Sequence, residues 1–470
     1  MKPFSKFKRI PDLEFWVAAC FLVLVFLLGG GSRADVLSLI ILRPLAAGAM
    51  LYGLLTLTRE EARPHRILFH FLLLTALLLL LHLVPLPYAL WSRLPGHELL
   101  VQIGQAAELG PVWRPLTLNP PGGWNAFLSL VIPFAALLLA VRLSNAAHLR
   151  LILWIVTIGF VSILLGILQL QGPPNGPLYL YRITNDGTLV GLFSNRNHHA
   201  MFLATLFPMF AYLASRDTKN RRTSTFQKAM AATGALFVLA ALAVNGSRGG
   251  FVLGLVGLSI AILLFRGPAV LGRLHDDKRK ARASVPFLWK AGAAGLLILV
   301  GLAMFTIPTS GTLDRILQTD AGDESRLLIW NIVPEMAWQY FPFGSGAGSF
   351  VEAFKIAEPM DDLGFRYVNH AHNDWLEVFL TFGFPGLLLL SGAVACWLVG
   401  VRGIFAQRGQ RSDAITLGYL GIATTGLLAL GSVVDYPLRT PSLACLFVFA
   451  SVWMARGYSG SRILLGKVSR

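Results

Sequence analysis

Apolar residues run through this chain in blocks of about 20, separated by shorter stretches where Arg, Lys, Pro and Gly collect. A bilayer core of roughly 30 Å needs about 20 helical residues at 1.5 Å each, so each block is long enough to cross. The pattern predicts about twelve membrane helices, near 13–30, 35–56, 67–85, 123–141, 151–171, 197–215, 229–245, 250–265, 290–307, 376–400, 414–434 and 440–455. Ten-residue segments of alternating polarity, the mark of a membrane barrel, do not fit, and the expected fold is an all-α polytopic membrane protein. The first block follows Lys2, Lys6, Lys8 and Arg9 but is longer than a signal-peptide core and has no clear A-x-A cleavage site. It reads as a retained helix.

The connecting stretches differ in kind. Residues 86–122 carry Pro and Trp with few charges, 172–196 are rich in Pro and Gly before turning polar, and 308–375 is the largest insertion. Within that insertion, Leu327, Leu328, Trp330, Ile332, Val333, Met336, Ala337 and Tyr340 recur at helical spacing, predicting an amphipathic helix over 324–340 that packs on the core or lies in the membrane interface. Gly344-Ser345-Gly346-Ala347-Gly348-Ser349 follows, a run suited to tight turns or to a nest of backbone N–H groups around an anion. Gly383-Phe384-Pro385-Gly386 interrupts the next span, setting off 375–382 as a short segment ahead of the membrane helix. Three units result: helices one to nine over 1–307, the large loop over 308–375, and the last three helices with a tail over 376–470.

Composition agrees with the pattern. Hydrophobic residues make up 55% and charged residues 14%, against about 45–50% and 25% in soluble domains. The net charge of +16 would fit a nucleic-acid partner if the basic residues clustered on a folded domain. Instead 28 of the 40 Lys and Arg fall in the two tails and the 57–66, 142–150, 216–228, 266–290 and 401–413 loops. These are alternate loops, placed on one side by a twelve-span topology, so the positive-inside rule makes that side and both termini cytoplasmic. Arg221-Arg222 and Lys278-Arg279-Lys280 then set topology or touch lipid headgroups, and no nucleic-acid partner is expected. Cys20, Cys396 and Cys445 all lie in apolar blocks, which points to packing. The basic loops are too short for a nucleotide-binding domain and contain no G-x-x-x-x-G-K-[ST] motif.

Function therefore belongs to the other side, where polar side chains are few. Of the twelve basic residues outside the basic loops, eleven are arginine, whose fixed fork of donors pairs bidentately with phosphate oxygens. Arg43 stands about eight residues into the second predicted span, roughly 12 Å from its outer end, where a charge needs a polar cavity or a partner. Arg196, in Asn195-Arg196-Asn197-His198-His199, opens the sixth span, and Arg248, in Asn245-Gly246-Ser247-Arg248-Gly249, opens the eighth. Each sits where unpaired N–H groups and the helix dipole favour an anion, so the two turns can clamp a diphosphate or can simply be helix caps. Asn369-His370-Ala371-His372-Asn373-Asp374-Trp375-Leu376-Glu377 is the densest titratable stretch in the chain. His370 and His372 with Asp374 can be a catalytic group, part of a metal site or a structural pair. Asp435-Tyr436-Pro437-Leu438-Arg439, in the last outer hairpin, can complete the same cavity or form a salt-bridged turn.

Taken together, the Asn-Arg-Asn-His start of a span, the Ser-Arg-Gly turn, the helix from Arg326 to Trp330, the run Pro342 to Phe350 and His372-Asn373-Asp374 ahead of a glycine-broken span resemble the bacterial O-antigen ligase and polymerase superfamily. The resemblance covers about 190–395. It implies an inverting GT-C-type membrane glycosyltransferase that uses no metal and no cofactor, taking a glycan from an undecaprenyl-diphosphate donor at the periplasmic face of the bacterial inner membrane. The acceptor is a lipid or glycan hydroxyl, with ligase-type transfer favoured over polymerisation. By motif, His372 matches the family's essential histidine, and Arg196 and Arg248 match arginines that hold the donor diphosphate. Arg43 joins them on physical grounds, with Asn197, Asn373, Asp374, His370, Arg326 and Asp435 in support and Asp374 fixing the histidine tautomer. A flippase for lipid-linked sugars is the rival from another class, and the scarcity of mid-span carboxylates argues against it.

Overall fold

The computed structural model describes residues 12–174, 176–216, 220–264, 295, 321–360, 367–407 and 412–468. Its longer helices, in chain order, are α1 (Leu13–Leu28), α2 (Leu39–Thr56), α3 (Arg66–Leu83), α4 (Pro120–Ser129), α5 (Val131–Arg142), α6 (Asn145–Gln171) and α7 (Arg196–Ala214). They continue as α8 (Arg221–Asn245), α9 (Arg248–Leu264), α10 (Ala321–Gln339), α11 (Phe350–Ala357), α12 (Asp374–Phe405), α13 (Asp413–Val434) and α14 (Pro441–Val468). A two-residue antiparallel ladder pairs Pro85 and Leu86 with Pro115 and Arg114 in the loop after α3.

Eight helical stretches among the described residues are long and apolar enough to cross a membrane, which makes the chain an all-α polytopic membrane protein. Three more of the twelve expected spans are helices that fall short of that measure. Helices α1 and α9 have 16 and 17 residues, and α7 starts with the polar run Arg196-Asn197-His198-His199. The expected span at 290–307 lies outside the described residues.

Side-chain caps set where several helices start. Ser144, Asn195, Asn373 and Ser412 each turn an oxygen onto a free N–H of the first turn of α6, α7, α12 and α13. Helix α13 packs along α14, α7 lies against α8 and α9, and α2 lies against α5. Their apolar faces merge into one core containing Phe26, Leu42, Leu137, Phe193, Phe202, Phe207, Phe449 and Trp453.

The large loop has a second core of its own. Ile329, Val333, Met336 and Ala337 form the buried stripe of α10 and, with Tyr340 just past its end, meet Phe350 and Phe354 of α11, Ala371 and Leu380. The expected amphipathic helix is thus seated on protein, with Ile329 in its stripe and Trp330 and Ile332 at its edge.

The expected break in the tenth span is present, with Gly383 at φ 54°, ψ −140° inside α12. Its repair comes from the glycine run. Pro385 has no N–H to offer the Thr381 carbonyl one turn back. Gly346 N–H donates to that carbonyl at 3.0 Å, Ser345 N–H donates to the Leu380 carbonyl at 2.9 Å, and Phe384 N–H turns to the Pro342 carbonyl at 2.8 Å. Ala347 N–H donates to His82 Nδ1 at 3.1 Å, and Gly344 N–H to the Tyr340 carbonyl at 2.8 Å. With these N–H groups spent on protein acceptors, the run is a strut between α12 and the end of α3, and not an anion nest.

Gly346 has φ 96°, and a Cβ there would run into the Thr117 backbone. Gly110 has φ 66° and open space around it. Gly110→Ala should therefore cost only the left-handed backbone term of about 1–2 kcal/mol. Gly346→Ala adds the displacement of Thr117 and should lower the thermal midpoint of detergent-solubilised protein by clearly more than Gly110→Ala does.

Candidate active site

The end of the bundle that carries the large loop gathers the polar residues around one carboxylate. Asp435 follows the last residue of α13 and is fully buried. A buried carboxylate is tolerated only when donors surround it. Its Oδ1 accepts from its neighbour's backbone, Tyr436 N–H, at 3.0 Å and faces His372 Nδ1 at 3.2 Å. Its Oδ2 accepts from Asn197 Nδ2 at 2.6 Å. His198 Nε2 lies 4.0 Å from Oδ1, and His198 Nδ1 is 2.9 Å from Thr440 Oγ1. The starts of α7 and α12 and the α13–α14 turn are thus joined by one side chain.

With a carboxylate oxygen 3.2 Å away, His372 Nδ1 is placed to donate to it. His372 has φ 48°, a left-handed conformation that a non-glycine residue adopts only when its surroundings impose it. The residues on both sides are tied. Ala371 N–H donates to Glu377 Oε2 at 2.9 Å, and the Ala371 carbonyl accepts from Trp330 Nε1 at 3.0 Å. On the other side Asn373 Oδ1 caps α12 through Trp375 N–H and Leu376 N–H at 3.0 and 3.1 Å. His370 turns away to Glu377, with Nδ1 3.0 Å from Oε1. Burial holds His370 below the usual histidine range, and the Glu377 carboxylate pulls it back up.

Arg439, in the short turn Pro437–Arg439, donates from Nε to Asp374 Oδ1 at 2.9 Å and reaches Glu377 Oε1 with Nη2 at 3.1 Å. Ser432 of α13 donates to Asp374 Oδ2 at 3.2 Å. The Tyr436 ring lies among three imidazoles, with centroids 5.1, 4.4 and 4.9 Å from His198, His370 and His372, and its hydroxyl accepts from Asn369 Nδ2 at 3.3 Å.

Arg196 and Arg248 are the first residues of α7 and α9, as their sequence context predicts. The two helix starts are stitched together. Asn245 is buried at the end of α8, and its Nδ2 donates to the carbonyls of Arg196 and Leu189 at 3.1 and 2.8 Å. A Cβ on Gly246 would sit 3.6 Å from Arg196 Nη1, so that guanidinium lies over the turn leading to Arg248. A Cβ on Gly249 would meet Val434, the residue before Asp435, at 3.4 Å. Two arginines, two helix N-termini and the His372–Asp435 pair therefore share one region.

The remaining expected residues fall elsewhere or take other parts. Arg43 is closer to the start of its helix than expected, because α2 begins at Leu39 and four residues rise only about 6 Å. Its guanidinium pairs with the side chain and carbonyl of Asn125 on α4, and no described contact joins it to the Asp435 cluster. The Arg326 side chain lies outside the described residues. Asp374 pairs with Arg439 and Ser432, and Asp435 takes the place at His372 Nδ1 that the sequence reading gave to Asp374. Sequence reading left Glu377 and His198 without roles of their own, and gave Tyr436 and Arg439 only a shared place in a stretch that completes the cavity or forms a salt-bridged turn. The one signal for Glu377 was its i, i+3 spacing from Asp374 at a helix start, which puts both carboxylates on one face. His199 is structural. Its Nδ1 donates to the Leu189 carbonyl at 2.9 Å and its Nε2 lies 3.0 Å from Ser162 Oγ, so both ring nitrogens are held by protein partners. Among the described residues, no group of three or more His, Cys, Asp or Glu side chains is arranged to hold a metal ion.

Residues 233–391, about a third of the chain, match the family described as O-antigen ligase (Wzy_C). The match takes in Arg248, the glycine strut and the 369–377 stretch, and it leaves out Arg196 and Asp435. No curated protein matches the chain.

His199→Leu keeps the volume and removes both buried hydrogen bonds, so it should destabilise the protein by about 1–3 kcal/mol, read as a lower thermal midpoint in detergent. Activity measured well below that midpoint should persist, which separates His199 from the residues around Asp435.

Proposed function

Starting from the O-antigen ligase and polymerase superfamily, which the match over residues 233–391 supports for this chain, we propose an inverting GT-C-type glycosyltransferase that moves a glycan from an undecaprenyl-diphosphate donor to an acceptor hydroxyl. The reaction takes place at the periplasmic face of the bacterial inner membrane, with both termini in the cytoplasm. No metal or cofactor takes part. Transfer is of the ligase type, to a lipid or glycan acceptor, in keeping with the family's description.

One observation carries this reading: a histidine with Nδ1 on a buried carboxylate, whose other oxygen is held by the residue after Arg196. His372 Nε2 takes the proton from the acceptor hydroxyl as its oxygen attacks the anomeric carbon. The bond from that carbon to the lipid diphosphate breaks, and the diphosphate leaves with the electron pair. Asp435 keeps the Nδ1 proton in place and stabilises the imidazolium that forms, the part a carboxylate plays behind any histidine base. Arg196 and Arg248, aided by the first-turn N–H groups of α7 and α9, meet the charge that grows on the leaving diphosphate. Fixed guanidinium charge does there what a divalent ion does in other phosphate-leaving reactions. His370 is the weaker base candidate because it is the more enclosed of the two and His372 is the one that matches the family's histidine by motif. Arg43 serves the donor at a distance, from the α2–α4 face where Asn125 holds it.

In purified enzyme with lipid-diphosphate donor and acceptor, EDTA should leave the rate unchanged, and His372→Ala should lower kcat by roughly 10²–10⁴-fold with the protein still folded. Transfer by His372→Ala at the normal rate would remove the base assignment. Asp435→Asn should also lower kcat strongly, since an amide does not hold the same tautomer. Arg196→Lys and Arg248→Lys keep the charge and lose the fork, so each should cut kcat/KM for the donor by about 10-fold or more. Gel analysis of surface glycan in a strain lacking the chain separates the two family activities: uncapped acceptor marks a ligase, and acceptor capped by a single repeat marks a polymerase.

A further inference from the structure

The His372–Asp435 pair is made by residues from two different segments, the turn before α12 and the turn after α13. Their relative position therefore needs a constraint besides their own 3.2 Å contact. The structure supplies one a few residues further along both segments. Arg439, four residues after Asp435, reaches Asp374 and Glu377, which lie two and five residues after His372. Its forked head engages both carboxylates, with Nε on one and Nη2 on the other, so it resists rotation as well as separation.

Glu377 extends that hold to His372 itself. Its side chain is 2% exposed, and its two oxygens are shared among Arg439, His370 Nδ1 and the Ala371 N–H. Ala371 is the residue before His372, and its carbonyl is pinned by Trp330 from the large loop. The φ of 48° at His372 is thus imposed from the residue before it, by a carboxylate anchored one turn into α12.

We infer that Glu377 and Arg439 are positioning residues for the transfer reaction: they lock the 369–373 turn against the α13–α14 turn so that His372 meets Asp435 with its other nitrogen turned to the acceptor. This rests on the reading of His372 as the base. Neither residue touches the reacting atoms. Their effect runs through the geometry of a proton transfer, where a displacement of about 1 Å is worth roughly 100-fold in rate.

The test is transfer kinetics of Glu377→Gln and Arg439→Lys, with thermal midpoints, and a double-mutant cycle of each against Asp435→Asn. Both single variants should lower kcat by about 10- to 100-fold while the donor KM stays within about twofold, because the arginines assigned to the donor are on α7 and α9. Combined with Asp435→Asn, each should add little to the loss that change already causes, since both act on the same imidazole. Arg439→Lys retains the charge, so at an unchanged thermal midpoint it reads the fork alone even where Glu377→Gln lowers the midpoint. Wild-type kcat in Arg439→Lys, a loss confined to KM, or losses that multiply fully with Asp435→Asn would overturn the inference. His372→Ala, assayed alongside, separates the two failures. If it is inactive while Arg439→Lys is normal, only the positioning role falls; if it is active, the base reading falls first.

Discussion

A carboxylate buried away from bulk solvent has to be met by donors, and Asp435 obtains them from three places that are far apart in the chain. That requirement fixes more of this end of the bundle than apolar packing can. Apolar faces tolerate sliding, because a shifted leucine still finds leucines. A shift of α7 against α13 by one residue would take Asn197 from Asp435, and a shift of α12 would take His372. The polar cluster sets the register of the helices that the two apolar cores hold together.

The same region shows how charge is distributed when a site must be both rigid and reactive. Two networks run side by side. Asp435 serves His372 and Asn197, and the Asp374–Glu377–Arg439 group serves the backbone around them. Asp374 is adjacent to the histidine stretch in sequence and has a full-time cationic partner. Asp435 is remote in sequence and meets the imidazole.

That contrast also explains what the sequence could reveal. Membrane helices announce themselves through length and apolarity, both local properties, so most of the expected spans lie on helices. Arg196 and Arg248 were legible because a helix start is local too, marked by Asn195 and by Asn245-Gly246. The break at Gly383-Phe384-Pro385 was legible because proline and glycine act on their own backbone. What could not be read was pairing across 60 or more residues. Nothing near His372 says that its carboxylate lies 63 positions on, and proximity along the chain pointed to Asp374. Arg43 shows a related limit: a charge inside an apolar run demands a partner, but the run does not say that a neutral asparagine on a neighbouring helix meets it. The glycine run was ambiguous because tight turns and anion nests need the same φ values, and only its acceptors, Thr381, Leu380, His82 and Tyr340, distinguish them.

The repair of the α12 break by that run carries a consequence for how the chain is made. In a bilayer an unpaired carbonyl has no water to turn to, so α12 is complete only when residues 344–346 are docked against it. Those residues leave the ribosome before α12 does. The loop must already be folded close by, held on its core, when the helix arrives to receive it. Docking of the loop and completion of α12 are then a single coupled step in biogenesis, and the half-helix that starts at Asp374 takes its final direction only at the end of that step.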